Sequence, residues 1–172
     1  MKLLHTVLDA SLFPFASLPS GTALFDIETT GLSADTSYLY LIRAIHQEKE
    51  GPVLTQRFCD EFSEEKELLL LFRSFLAEHP TLIHYNGCGF DIPYLNKKFS
   101  RYKLTHQIET ASTIDLYKLL LSYRKVLPLP DFKQKTLEAL SGFSRTDCFD
   151  GGDLIAVYAA YTGKYRLAAL TG

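Results

Sequence analysis

Two carboxylates stand two residues apart in the segment FDIETTGL, Phe25 to Leu32. If that segment enters as a strand, side chains alternate between faces, so Asp26 and Glu28 point the same way. Like charges so placed repel, and burying them is costly unless a cation neutralises them. Hard carboxylate oxygens at this spacing suit Mg²⁺ or Mn²⁺ rather than zinc. Thr29, Thr30 and Gly31 then turn the backbone, and Gly31 lets another chain approach closely. An isolated DxE pair is usually a solvated pair. At the end of an apolar strand and before TTGL, it points to metal-ion chemistry. A second segment is HYNGCGFDIPYL, His84 to Leu95. Asp91 falls at a helix start, after a short strand and a glycine-rich turn. On its own it reads as a helix N-cap. By themselves Asn86 reads as a turn residue, Phe90 as core and His84 as a strand-end residue.

The elements that must hold these groups can be read from periodicity. Thr22 to Ile27 is a buried strand, Tyr38 to His46 a second, and Val53 to Cys59 a third after the Gly51-Pro52 turn. Ser63 is the expected N-cap of a helix whose stripe is Leu68, Leu71, Phe72, Phe75 and Leu76. Thr81 to His84 is a short strand. Asp91 to Tyr102 is a helix with Pro93 harmlessly in its first turn. Ser112 to Leu116 is a fifth strand running into a helix to about Arg124. Lys133 to Leu140 and Gly152 to Tyr161 are two more helices, Gly142 closing the first. The order predicts an α/β domain with a mixed five-stranded sheet, antiparallel first and parallel later. Residues 1–21 are expected to be a lead-in lying over the core, and residues 22–172 the domain itself.

At 172 residues the chain suits one domain. Hydrophobic residues are 47% and charged residues 22%, which excludes global disorder. Lys+Arg 18 against Asp+Glu 20 gives a net charge of -2, so any nucleic-acid contact must come from a local patch. Cys59, Cys88 and Cys148 form no CxxC, which argues against a disulfide framework or zinc knuckle; they read as buried thiols. His5 and Asp9 interrupt the apolar start that a signal peptide needs. No apolar run is long enough to span a membrane; Leu68 to Phe72 is five residues. A cytoplasmic protein is the expectation.

Taken together, the two segments resemble the DEDD (DnaQ-like) exonuclease superfamily, whose fold is ribonuclease H-like. Asp26 and Glu28 match its DxE motif, and Asn86, Phe90 and Asp91 match its Nx(3)FD motif. The order of later segments looks like a YprB-type ribonuclease H-like domain: Ile114-Asp115-Leu116, then Lys135 to Glu138, then Asp150-Gly151-Gly152. The resemblance implies a 3′–5′ exonuclease on single-stranded DNA or RNA that uses two divalent ions, Mg²⁺ or Mn²⁺. It implies that Asp26, Glu28 and Asp91 are the catalytic metal ligands. It implies further that Thr29, Gly31 and Leu32 cradle the terminal nucleotide, with Leu32 as an apolar wedge. Asn86, Phe90 and Tyr94 would line the substrate side. Asp115 is weighed as the cap of the following helix rather than as a ligand.

The family's fourth acid, preceded by Tyr or His four or five residues earlier, has no match after Asp91; Asp115, Asp131, Asp147, Asp150 and Asp153 all fail. The expectation is a chain truncated before that motif, with Asp153 the best internal substitute and a second copy or a partner covering the exposed end. Lys97, Lys98, Arg101 and Lys103 could hold phosphates or could be a solvated helix face. Tyr85, Tyr94, Phe99 and Tyr102 could stack bases but suit packing better. A binding module that keeps the fold and cuts nothing is the rival reading.

Overall fold

Along Thr22–Thr29 (β2), Ala23, Phe25, Ile27 and Thr29 are buried, while Asp26 is exposed and Glu28 half-buried. This is the period-two alternation of a strand with one face on the core, and it puts both acids on the other face. A computed structural model describes residues 1–11, 17–109, 112–142 and 151–170. In it β2 is continued by a meander of Leu39–Glu48 (β3) and Gly51–Phe58 (β4), all antiparallel. Helix α1, Glu65–Glu78, then crosses back, so that Thr81–His84 (β5) runs parallel to β2. Helix α2, Asp91–Arg101, carries the chain to Thr113–Asp115 (β6), parallel to β5. The mixed α/β sheet and its antiparallel-then-parallel order are as expected.

The sheet has six strands, not five. Lys2–Val7 (β1) pairs antiparallel with β4, Lys2 opposite Phe58 and Val7 opposite Val53, giving the order β1-β4-β3-β2-β5-β6. Lys2–Val7, within the 1–21 stretch expected as a lead-in, is therefore an edge strand. Its six side chains are all exposed. Backbone pairing with β4 makes it a strand, which hydrophobic patterning does not register.

The start of α1 also differs from expectation. A 3₁₀ turn at Phe62–Glu64 precedes it, and the Glu64 carboxylate accepts the backbone N–H of Asp60 at 2.7 Å and of Glu61 at 3.2 Å. Glu64 thus does the capping expected of Ser63. At its first residue α1 presents Glu65, which meets Lys98 of α2 at 2.7 Å with both side chains 1% exposed. Glu65 also accepts the Leu39 N–H at 2.7 Å and the Tyr102 hydroxyl at 2.6 Å, while Lys98 donates to the Ser37 carbonyl. The pair is buried but fully partnered, and it fixes α2 against β3. Breaking such a pair by removing one member costs about 3–5 kcal/mol.

Three further helices follow: α3 at Leu116–Leu121, α4 at Gln134–Leu140 and α5 at Gly151–Leu170. Asp115 caps α3, its side chain accepting the Tyr117 N–H, which agrees with the cap reading. Gly142 ends α4 with a positive φ of 78°. On α5, Tyr158 stacks on Tyr40 with ring centroids 4.0 Å apart and donates to the Cys59 carbonyl. Asp147, Cys148 and Asp150 lie outside the described residues. Among the described residues no helix is long and apolar enough to cross a membrane.

Candidate active site

The register of β2 against β3 sets Arg43 directly opposite Asp26. Its guanidinium Nη2 lies 2.5 Å from Asp26 Oδ2 and 2.5 Å from Glu28 Oε1. The two acids do face the same way, as the alternation requires, but one cation of the chain itself already stands between them. Glu28 remains above the usual carboxylate range because burial and the Asp26 charge outweigh the guanidinium. Sequence reasoning missed Arg43. The signal was available: Arg43 is the sole charge between Tyr38 and Ile45 in YLYLIRAI. A charge inside an apolar strand calls for a partner.

Asp91 arrives from the opposite direction, at the first position of α2. Phe90 is the N-cap and not Asp91; the Asp91 carboxylate reaches across to accept the Ile27 N–H at 3.4 Å. Ile27 sits between Asp26 and Glu28, so the third acid is fastened to the strand that carries the other two. Burial, then the Asp26 charge, push the Asp91 carboxyl up to about 7, with Glu28 adding in the same direction. Asp153 is exposed in the first turn of α5.

A cleft of about 370 Å³ is lined by Leu32, Ser33, Ala34, Gly89, Phe90, Pro93, Tyr94 and Lys97, with none of the three acids in its lining. Leu32, Phe90 and Tyr94 therefore meet in one place, although they come from two distant segments. Leu32 is fully presented to solvent, and Tyr94 is buried with its hydroxyl 2.8 Å from Ser37 Oγ. Thr29 and Ser37 both donate to the Gly31 carbonyl, at 2.8 and 2.9 Å. A Cβ on Gly31 would sit 3.3 Å from Ser37 Cβ, so glycine keeps this wall tight. Asn86 is exposed, with φ 59°, and its N–H donates to Asp115 Oδ1 at 2.9 Å.

The basic group beside Asp91 is mostly spoken for. Lys98 is buried on Glu65, Lys97 pairs with Asp35, and Arg101 donates to the Asp35 carbonyl at 2.6 Å. These cations hold α2 to the β2–β3 connection, so they do not form the free phosphate clamp that their clustering suggested. Phe99 is core, Tyr102 serves Glu65, and Tyr85 donates to the Phe132 carbonyl. Packing is their role. Among the described residues, one trio of His, Cys, Asp or Glu brings its donor atoms within 4.8 Å of one another, and it is His84, Cys88 and Asp115. The three acids of β2 and α2 stand farther apart, with Arg43 bridging two of them.

An RNase_H superfamily model matches residues 23–171 of the sequence. No curated protein matches it. Among solved structures, E. coli exonuclease I in complex with a dT13 oligonucleotide is similar, with a TM-score of 0.56 and 17% identity over 87% of this chain and 42% of that one. The same enzyme with a dA16 oligonucleotide gives a TM-score of 0.54 and 16% identity over 84% and 40%. A product-bound exonuclease I gives 0.55 and 16% over 83% and 43%. The chain spans about two fifths of the length of these structures, and at such identity the likeness is one of fold.

Proposed function

This chain belongs to the RNase_H superfamily, and from that premise we propose that it is a metal-dependent 3′–5′ exonuclease acting on single-stranded DNA or RNA, with residues 22–172 as the nuclease domain. The observation that carries this reading is Asp91. Its buried carboxyl is fastened to the backbone between Asp26 and Glu28 and is driven to about 7 by burial first and then by their charge. Three carboxylates against one guanidinium leave the site short of positive charge, and hard oxygen donors fit Mg²⁺ or Mn²⁺. Asp26, Glu28 and Asp91 would hold the ions, which supply a deprotonated water and stabilise the leaving oxygen.

The remaining work belongs to the chain. The Gly31 turn, held by Thr29 and Ser37, shapes one wall of the cleft, and Leu32 projects from it as the wedge against a base. Phe90 and Tyr94 form the facing wall, and Asn86 stands at the start of the second segment. Arg43 orients Asp26 and Glu28 and must yield part of its contact when a divalent ion is bound. The resemblance to exonuclease I structures that contain oligonucleotides supports a single-stranded substrate.

Arg43 also favours a second reading. A guanidinium that satisfies both acids suits a module that binds nucleic acid and does not cut it. End-labelled single-stranded DNA and RNA, incubated with Mn²⁺, Mg²⁺ or chelator beside Asp26→Ala, separate the two. Metal-dependent laddering from the 3′ end that vanishes in the variant is expected. A folded protein that binds the strand and leaves it intact would establish the binding module.

A further inference from the structure

His84 ends β5 and Asp115 ends β6, opposite each other in the parallel register. Cys88 lies in the turn four residues beyond His84. Cys88 Sγ is 3.9 Å from His84 Nε2, and Asp115 Oδ2 is 3.8 Å from His84 Nδ1. The His84 and Asp115 side chains are 1% and 3% exposed, and Cys88 is a half-buried free thiol. The ring is seated closely: a Cβ on Gly87 would stand 2.8 Å from His84 Cγ, so only glycine admits it.

The two oxygens of Asp115 are treated differently. Oδ1 accepts backbone N–H groups from Asn86 at 2.9 Å and Tyr117 at 3.1 Å. Oδ2 is buried and has no hydrogen bond of good geometry, and the Cys88 thiol beside the carboxylate, after the Asn86 N–H, helps hold Asp115 below its ordinary value against its burial. Buried polar atoms left without a partner are rare in folded proteins and call for an unseen one. The imidazole is already set up as a ligand. Gly87 N–H donates to Nδ1 at 3.0 Å, which leaves the ring proton on Nε2, 2.9 Å from Thr113 Oγ1. The lone pair therefore sits on the nitrogen nearer Asp115, and Thr113 fixes the tautomer as an outer partner does in metal sites.

We propose that His84, Cys88 and Asp115 bind one borderline-soft divalent cation, Zn²⁺ or an ion like it, at a site separate from Asp26, Glu28 and Asp91. Nitrogen, sulfur and oxygen donors suit zinc, and three protein ligands leave a fourth position for water. Tetrahedral bonds of ordinary length place such donors about 3.4–3.6 Å apart; the donor atoms of the trio lie within 4.8 Å of one another, so the Cys88 side chain must swing from the Nε2 side of the ring toward Nδ1 as the site closes on the ion. The ion takes the Nδ1 lone pair from the Gly87 N–H and the orphan Oδ2 of Asp115. Binding releases one proton, from the Cys88 thiol. The bound ion ties the turn that leads to Asp91 onto the end of β6. Neither step depends on hydrolysis at the other site.

The test is spectroscopic. Protein carrying Cys148→Ala is titrated with Co²⁺ and followed for thiolate-to-cobalt absorption in the near ultraviolet, then with Zn²⁺ in competition. One equivalent with the thiolate band is expected, unchanged in Asp26→Ala. Cys88→Ala should lose the band and weaken Zn²⁺ by more than the ~10–100-fold typical of outer partners. Asp115→Asn keeps the Oδ1 acceptor and should weaken binding with the fold intact. If Cys88→Ala fails to fold, Cys88→Ser replaces it, because serine gives no thiolate band. Cys59 is a poor competitor, since burial pushes its thiol up to about 12. Absence of the band, its survival without Cys88, or its loss in Asp26→Ala would each overturn the proposal.

Discussion

At Asp26 and Glu28, two carboxylates share one guanidinium in a half-open setting; at Asp115, a carboxylate closed off from water has a thiol and an imidazole beside it and one oxygen with no well-placed donor. Both places lie at the same level of one sheet, a strand apart from each other through β5. The difference is where the neighbouring strand puts its charge. β3 delivers Arg43 opposite Asp26, whereas β5 delivers the neutral imidazole of His84 opposite Asp115. An exposed acid can borrow charge from an adjacent side chain and from water. A buried one depends on what the fold has built around it.

The largest effect should come from the acids that have borrowed their charge. Asp26→Ala or Asp91→Ala should lower metal-dependent cleavage by about 10²–10³-fold, as loss of one electrostatic contact to the reacting atoms does. Full activity in either variant would end the hydrolytic reading of that region. On the other side of the comparison, Asp115→Ala strips the partner from the N–H groups of Asn86 and Tyr117. A cost of ~1–3 kcal/mol follows, or a Tm lower by about 3–10 °C, with Asp115→Asn losing less. Equal melting of both variants would mean that Oδ1 is not what holds the turn.

Acidity sharpens the contrast within the first site. The folded protein keeps a proton on Asp91 up to about 7, from an ordinary value of 3.8, so it binds a proton that the unfolded chain releases. Stability of the metal-free protein should then fall as pH rises from about 4 to about 7, with Glu28 contributing in the same direction. Melting scans in chelator should show that slope flattened in Asp91→Asn, whose Tm exceeds that of the parent by several degrees at pH 8. Identical slopes would place Asp91 in a water-like setting. The smallest effect is expected at Arg43. Arg43→Gln should tighten Mn²⁺ binding about fivefold by calorimetry, the ~1 kcal/mol of a partly exposed ion pair. Weaker binding would make the guanidinium a support of the ion and not its competitor.

Much of the sheet was legible because β2 and β3 alternate and because glycine, proline and acidic residues mark the turns and the start of α1. β1 was not, since Leu3, Leu4 and Val7 are exposed and only the open edge of β4 makes them a strand. Within the candidate site, the facing of Asp26 and Glu28 followed from strand geometry. The contact of Asp91 with Ile27 did not, because it spans 64 residues. The lysines beside Asp91 read as a patch, yet Lys98 turned inward to Glu65, a partner that no local pattern names.

Local rules reach as far as backbone repeat and turn chemistry, and these settled which residues lie on which face of β2 and the approximate place of the helices, though not their ends: the helix expected to run to about Arg124 stops at Leu121, and the one expected to stop at Tyr161 runs to Leu170. The tertiary structure decided which charges neutralise which. Arg43 meets the DxE pair through strand register, Lys98 meets Glu65 through helix packing, and His84, Cys88 and Asp115 gather at the ends of two parallel strands. Coulomb and desolvation energies depend on distance and burial, and both quantities exist only after strands distant in sequence have been laid side by side.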